Sequence, residues 1–316
     1  MKTNRLIILL SIITMAACGQ KKAEQFKALP FPDMDLPGMM TEAQDITDYM
    51  VEHYWDRFTN PDTTYPSDTL LVNGVKKGDV EQKFSNWLVL LDRTTLTQAE
   101  KAITKLYNRA LAIEKKDSTS NVLETVVELA DKYLYDANSP FRNEEYYLYF
   151  VRHFAEYNGH SPEIRAKYNY HVSNCSLNRL RTKAAEFQFT DSYGKRHSLY
   201  DINAELTLLF FSNPGCGACM DIIQALKDEE KISEMISSRR LAVANIYIDE
   251  DLAGWKDYMP IYPKEWYNGF DHEMKIRTDN LYNVRAIPSL YILDRDKRII
   301  MKDAPETKAI EFLLMY

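Results

Sequence analysis

The spacing of the hydrophobic residues changes near residue 182, and this change constrains the fold more than any other feature of the 316-residue chain. Before it, apolar residues recur every three to four positions, as in Val80, Phe84 and Leu88, which predicts amphipathic helices. After it, the unbroken apolar run 206–211 predicts a central strand that is covered on both faces. The sequence therefore predicts a helical domain followed by a domain in which strands and helices alternate.

The first of these domains, residues 38–182, is predicted to be all-α. Its apolar stripes indicate five or six helices with short connections, which favours an antiparallel bundle or layer. Ser161 and Pro162 fit an N-cap followed by proline at the first helical position. The aromatic run 146–150 could form a binding face, but aromatic residues at helical spacing more often fill a core. This domain points to no particular chemistry.

The N-terminus has the pattern of an export signal. Lys2 and Arg5 precede a short apolar run, which is too short to cross a membrane and is followed by small residues. Cys18, directly after two alanines, resembles the lipobox cysteine of bacterial lipoproteins, which is acylated. We therefore interpret residues 1–17 as a lipoprotein signal peptide, Cys18 as the lipidation site and residues 18–37 as a tether. An ordinary secretory signal cut nearby is the alternative.

A pair of cysteines follows the predicted strand at 206–211. Cys216 and Cys219 open an amphipathic stretch, and two cysteines with this spacing can form a disulfide at the start of a helix. The positive end of the helix dipole favours the thiolate form of the first sulfur. Zinc sites also use such a pair, but they need further ligands, and the sequence has no second CxxC or HxxxH motif. Redox chemistry is therefore preferred over metal binding.

The order of elements over residues 184–316 is typical of one fold. A strand, the cysteine pair, a helix, a second strand at 241–248, and a proline before a hairpin at 289–301 follow one another. This order resembles the TlpA-like branch of the thioredoxin superfamily, which are membrane-attached thiol–disulfide oxidoreductases outside the cytoplasm. The resemblance implies an α/β thioredoxin-like domain, with a central mixed sheet flanked by helices, and no dissociable cofactor or metal.

The resemblance also implies roles for individual residues. Cys216 would be the exposed nucleophile, and Cys219 would resolve the mixed disulfide. The segment around Ile287 and Pro288 is similar to the family's cis-proline segment, which would present the backbone of Ile287 to a substrate. Gly215 stands where the family commonly has tryptophan, so the aromatic wall beside the first sulfur is expected to be absent.

Two further features leave alternatives open. The segment 249–277 is rich in tryptophan and tyrosine, and it could be a substrate cradle or a packed cover over the sheet. Cys175 falls on an apolar helical face, which favours a buried, inert thiol. Pairing of Cys175 with Cys216 or Cys219 would require the helical domain to dock on the redox site.

The net charge of −7, without a cluster of cations, argues against a nucleic-acid partner. The main hypothesis is an envelope protein that is lipid-anchored, faces the periplasm and reduces protein disulfides, with electrons from a membrane thiol relay. The competing hypothesis is a non-catalytic lipoprotein whose helical domain binds a partner while the thioredoxin-like domain serves as a scaffold.

Overall fold

The structure, a computed structural model, describes residues 27–38, 40–60, 62, 65 and 69–316. The predicted signal peptide and Cys18 lie outside these residues. Between residues 27 and 182, the described residues form six α-helices and one π-helical turn, Asp131–Tyr135, after the fourth helix. The helices are α1 Ala43–His53, α2 Lys77–Leu91, α3 Leu96–Lys116, α4 Val122–Ala130, α5 Glu144–Glu156 and α6 Pro162–Cys175.

One hydrophobic core holds these helices together. The aromatic run 146–150 is buried in it, as the helical spacing of its residues favours. Trp87 is also buried there, and its indole N–H donates to the carbonyl of Val51 at 2.9 Å, so that α1 is bonded to α2. Ser161 caps α6 through the backbone N–H of Ile164, with Pro162 in the first turn as predicted.

The helical region also contains a short hairpin, which the sequence analysis does not predict. Strand β1, Leu71–Val72, pairs antiparallel with strand β2, Val75–Lys76. Asn73 and Gly74 join them, both with positive φ (46° and 80°), which is the geometry of a type I′ hairpin turn. An Asn-Gly pair flanked by apolar residues is a strong hairpin signal. The conformational preference of the Asn-Gly pair therefore determines the structure here, although the apolar residues around the hairpin have helical spacing.

The last part of the predicted tether is attached to the helices. The ring of Phe31 stacks on Phe58 at 5.1 Å between centroids and meets Trp55 edge-on at 5.5 Å. The backbone N–H of Leu29 donates to the carbonyl of Gly74 at 2.8 Å. Burial of an aromatic side chain against other rings is more favourable in free energy than its exposure to water. The contacts of Phe31 and Leu29 therefore hold the segment 27–37 against the helical region.

The C-terminal domain is built on a seven-stranded mixed sheet. The strands are β3 Gln188–Asp191, β4 Arg196–Ser198, β5 Leu206–Phe211, β6 Leu241–Tyr247, β7 Tyr267–Phe270, β8 Ser289–Leu293 and β9 Ile299–Met301. Their order in the sheet is β4-β3-β7-β6-β5-β8-β9. Strands β5, β6 and β7 are parallel to one another, and the remaining neighbours are antiparallel. This central mixed sheet confirms the predicted thioredoxin-like fold.

Both faces of the sheet are covered. Leu208 and Phe210 of β5 point into one core, whereas Leu209 and Phe211 point into the other, which explains the unbroken apolar run. A single 3-10 turn, Leu199–Asp201, precedes β5. The helices of this domain are α7 Gly217–Asp228, α8 Glu230–Ser237, α9 Leu252–Tyr258, α10 Lys275–Thr278 and α11 Glu306–Met315.

The segment 249–277 forms part of the domain. Its strand β7, which the sequence analysis did not predict, lies between β6 and β3 in the sheet. Trp255 and Trp266 are buried in the core on one side of the sheet, as is Tyr262. The sequence left two alternatives for this segment, a substrate cradle and a packed cover over the sheet. Because these three side chains are buried, they serve as a packed cover.

A buried cluster of ionic side chains joins the helical region to the C-terminal domain. Glu144, at the first position of α5, forms ion pairs with Lys302 (Oε2–Nζ 2.9 Å) and Arg285 (Oε1–Nε 3.0 Å). Arg285 also pairs with Asp303 at 2.6 Å between Nη2 and Oδ2. Burial raises the pKa of Glu144, while Lys302 and Arg285 act in the opposite direction. We refer to Glu144, Arg285, Lys302 and Asp303 as the junction cluster.

Hydrogen bonds to backbone carbonyls extend this contact. The ammonium group of Lys302 donates to the carbonyl of Cys175 at 2.8 Å, at the end of α6. Arg142 donates from Nε to the carbonyl of Asp303 (3.0 Å) and from Nη2 to that of Ala304 (2.7 Å). The end of α6 and the segment just before α5 are thereby bonded to the chain between β9 and α11.

Candidate active site

The cysteine pair lies where β5 gives way to α7. Gly215 has a φ of +73°, a left-handed conformation that favours glycine, and it turns the chain after the strand. Cys216 is then the N-cap of α7, with extended backbone (φ −76°, ψ 109°). The first sulfur therefore lies at the N-terminus of a 12-residue helix, as the sequence pattern predicts.

The two sulfur atoms are bonded to each other and differ in exposure. Cys219 is 1% exposed, whereas Cys216 is partly exposed. The backbone N–H of Cys219 donates to the sulfur of Cys216 at 3.1 Å. Once the pair is reduced, the same N–H and the positive helix end would favour the thiolate at Cys216. Of the two cysteines, only Cys216 is partly exposed at the protein surface.

The second predicted element of the site lies beside this pair. The peptide bond between Ile287 and Pro288 is cis. Ser289 pairs with Phe211 in the antiparallel register of β8 and β5, so Pro288 lies just beyond the end of β5, next to the loop that carries Cys216. Ile287 and Pro288 line a groove of about 530 Å³ together with Ala218, which stands between the cysteines. The structure therefore brings the predicted cysteine and proline elements together.

A tyrosine from a distant segment approaches Gly215 through its hydroxyl group, and the expected absence of an aromatic wall beside the first sulfur stays a prediction. A Cβ placed on Gly215 would lie 3.6 Å from the hydroxyl oxygen of Tyr258. Tyr258 is the last residue of α9, and its side chain packs against the same core as Cys216. The segment 249–277 thus brings a phenol hydroxyl close to the loop that precedes Cys216.

A polar contact that the sequence analysis missed ties down the loop before Cys216. Asn213 donates from Nδ2 to Oδ2 of Asp249 at 2.5 Å, and Oδ1 of Asp249 forms an ion pair with Arg277 at 2.6 Å. Asn213 and Asp249 each follow one of two adjacent parallel strands. Because the carboxyl ends of parallel strands meet at one edge of a sheet, this juxtaposition could have been inferred from the sequence.

Comparison with known proteins finds a family match for each of the two parts of the chain. The family described as a domain of unknown function, DUF5106, matches residues 13–178, and a thioredoxin-like family matches residues 203–299. A thioredoxin-like protein from Bacteroides caccae, solved by crystallography, is 34% identical. The alignment covers 90% of this chain and 98% of that chain, with a TM-score of 0.78. The chain is a thioredoxin-like protein with an N-terminal DUF5106 region.

Two further crystal structures are similar to part of this chain. The C-terminal domain of an uncharacterized protein from Bacteroides fragilis is 44% identical, with a TM-score of 0.42. A conserved protein of unknown function from the same organism is 32% identical, with a TM-score of 0.42. Each alignment covers 43% of this chain and 98% of the other. A search of curated proteins finds no match.

The remaining candidate residues of this thioredoxin-like protein are not brought to the site. Cys175 is 0% exposed in the core of the DUF5106 region, as expected of a buried thiol, and burial raises its pKa. Within the described residues, no group of three or more His, Cys, Asp or Glu could hold a metal ion. None of the described helices is long and apolar enough to cross a membrane. The domain bounds 38–182 and 184–316 remain predictions.

Proposed function

We propose that this thioredoxin-like protein is a thiol–disulfide oxidoreductase that reduces disulfide bonds of other proteins. One observation carries the proposal: a partly exposed sulfur at a helix N-terminus is bonded to a buried sulfur, beside the groove at Pro288. Only this arrangement among the described residues combines an accessible sulfur with a resolving partner. The reaction needs no dissociable cofactor, because the two sulfurs carry the electrons.

The proposed reaction has two exchange steps. In the first, the thiolate of Cys216 attacks one sulfur of the client disulfide, the client S–S bond breaks, and the other client sulfur leaves as a thiolate that takes up a proton. In the second, Cys219 loses its proton and attacks the sulfur of Cys216. The mixed disulfide breaks, the Cys216–Cys219 disulfide forms, and the second client sulfur leaves as a thiolate and is protonated.

Two electrons have then moved from the cysteine pair to the client. A membrane thiol relay is the proposed donor that restores the dithiol. The unequal exposure of the sulfurs supports the order of the steps, because a protein disulfide can reach Cys216 but not the buried Cys219. Cys219 reacts only within the protein, when it attacks the sulfur of Cys216 in the mixed disulfide.

Trapping of the mixed disulfide tests the proposal. Cys219→Ala should accumulate covalent adducts with client proteins that dithiothreitol releases, because Cys216 still attacks but nothing resolves the product. Cys216→Ala should form no adducts and should lose disulfide-reductase turnover. Cys175→Ala is the matched control, since its sulfur is buried away from the site, and it should keep turnover. Full activity of Cys216→Ala would refute the mechanism.

The reduction potential separates this function from the competing hypothesis of a scaffold. A potential below about −300 mV is typical of structural disulfides. Such a value, together with no turnover of a model protein disulfide, would indicate a non-catalytic lipoprotein that binds partners through its helical domain. A potential near those of reducing oxidoreductases, about −270 mV for thioredoxin, would support exchange.

We also propose that the protein is anchored by lipid on Cys18 and faces the periplasm. The support is the sequence pattern alone, with a basic start, a short apolar run and small residues before the cysteine. Several acyl chains are needed for stable attachment, which an acylated N-terminal cysteine provides. Cys18→Ser should move the protein from the membrane fraction to the soluble envelope fraction. Retention of this variant in membranes would contradict the anchor.

A further inference from the structure

The groove beside the cysteine pair has a wall that does not belong to the thioredoxin-like domain. One side is the face of α7 that begins at Ala218, and another is the cis-proline segment 286–288. The start of α11 closes a third side. The fourth side is the segment 137–142 of the DUF5106 region, which contributes Asn138 and Pro140. The helical region therefore borders the groove that Ala218, Ile287 and Pro288 line.

This fourth wall is fixed rather than loosely apposed. Arg142 is buried, and its guanidinium donates to the carbonyls of Asp303 and Ala304, directly before α11. The hydroxyl of Ser139 donates to the carbonyl of Tyr133 at 2.6 Å, which holds the other part of the segment. Because these polar groups are buried and paired, displacing the segment would leave them without partners.

The groove is apolar inside and negative at its rim. Ile222 and Ile287 provide apolar surface. Asp221 and Glu306 are exposed, and neither carboxylate forms an ion pair with another described residue. Arg142 also lines the groove and keeps its positive charge while it donates to two carbonyls, so two carboxylates and one guanidinium leave a net negative charge. A ligand with an apolar group and a positive charge would complement this surface.

We propose that this groove binds an extended segment of the client that carries an apolar residue and a lysine or arginine beside its disulfide cysteine. The proposal rests on the proposed function and adds the substrate class. A cleft with walls on opposite sides admits an extended chain and excludes a broad, folded surface. The DUF5106 region is thereby a part of the client site, and its Pro140 lines the groove together with residues of α7.

Two peptides that differ in one residue test the charge preference. Each has the form apolar–Cys–X, with X either lysine or glutamate, and its cysteine is joined by a disulfide to a coloured thionitrobenzoate group. Attack by Cys216 expels thionitrobenzoate, which is followed by absorbance. Hydroxyethyl disulfide, which is small and neutral, measures the intrinsic reactivity of the same reduced protein, and each peptide rate is divided by that rate.

We expect the lysine peptide to react about fivefold or more faster than the glutamate peptide at low ionic strength. The double variant Asp221→Asn with Glu306→Gln should reduce the ratio to below about twofold, and 0.5 M NaCl should have a similar effect. Pro140→Arg, at an exposed position of the fourth wall, should also lower the ratio. Glu311→Gln is the control, since this exposed carboxylate of α11 does not line the groove.

The remaining outcomes separate failure of this inference from failure of the proposed function. If hydroxyethyl disulfide reacts but the two peptides react equally fast, the client preference is refuted while the proposed function stands. A ratio that survives the double variant, or that Glu311→Gln lowers equally, refutes the role of the groove. No effect of Pro140→Arg refutes the role of the DUF5106 wall. If neither the peptides nor hydroxyethyl disulfide react, the proposed function and this inference fall together.

Discussion

Replacing Glu144 by glutamine should destabilise the whole protein. Its side chain is 1% exposed, and its carboxylate is the counter-ion of Lys302, which is 2% exposed, and of Arg285. In the junction cluster, two cations face two anions, so the neutral amide leaves one positive charge without a partner. Breaking a buried ion pair by removing one partner costs about 3–5 kcal/mol of unfolding free energy.

The matched control is Glu128→Gln. Glu128 pairs with Lys77 at 2.7 Å, a normal ion-pair distance, but the two side chains are 50% and 47% exposed. An exposed ion pair contributes about 0–1 kcal/mol, so this variant should unfold nearly as the wild type does. Comparison of the two variants isolates the effect of burial, because the chemical change is the same.

Equilibrium unfolding in urea measures both effects. Urea is uncharged and does not screen ion pairs as guanidinium does. Tryptophan fluorescence reports both halves of the chain, since Trp55 and Trp87 lie in the helical core while Trp255 and Trp266 lie in the C-terminal domain. A loss below about 1 kcal/mol for Glu144→Gln, equal to that of Glu128→Gln, would refute the reasoning.

A second substitution tests whether charge imbalance causes the loss. Adding Lys302→Met to Glu144→Gln removes the unpaired cation and leaves Arg285 with Asp303 as a balanced pair. Replacement of both members of a buried ion pair by uncharged groups is often close to neutral. Lys302→Met also removes the hydrogen bonds of Lys302 to two backbone carbonyls, and the single variant measures that cost. The double variant should therefore lose less stability than the sum of the two single losses, and additive losses would show that charge imbalance is not the cause.

Two further predictions concern the helical region. His171 Nδ1 lies 2.8 Å from the hydroxyl oxygen of Tyr147, and burial lowers the pKa of His171 from 6.5 to about 4. The folded state therefore binds fewer protons than the unfolded state between these values, so stability is full above pH 6.5 and falls by up to about 3 kcal/mol as the pH decreases to 4. His171→Asn, which cannot titrate, should flatten a plot of the urea midpoint against pH, and an unchanged slope would contradict the assignment. Gly74→Ala should cost about 1–2 kcal/mol, because Gly74 has a φ of +80° and a Cβ there would lie 2.9 Å from a ring carbon of Tyr65. Gly78→Ala, where a Cβ meets nothing within 4 Å, should be neutral or slightly stabilising in urea, and equal losses for both variants would contradict the turn geometry.

Features with a short-range physical cause were predictable from the sequence. The strand at 206–211 has the bounds that its apolar run predicts, since every residue of it is covered from one face or the other. Cys216 begins a helix as the pattern predicts, because a helix start is set by a few neighbouring residues. The hairpin at Asn73 and Gly74 also has a local cause, because an Asn-Gly pair between apolar residues favours this turn.

Strand β7 and the tyrosine hydroxyl beside Gly215 depend on the tertiary structure. The segment 267–270 has a weak strand pattern of its own and becomes a strand by pairing with β6 and β3. Tyr258 reaches the cysteine loop from a separate helix, and no spacing in the sequence connects it to Gly215. Both features arise from contacts between segments whose relative positions the sheet fixes.

The sequence by itself determined the two-part plan, the position of the cysteine pair and the proline that accompanies it. Only the tertiary structure decided that the helical region closes one side of the groove and that Glu144 meets Arg285 and Lys302. In the sequence, these charged residues look like ordinary surface residues. They are buried because the helical region and the thioredoxin-like domain exclude water from their contact, and a charge excluded from water requires a partner of opposite sign wherever the fold can bring one.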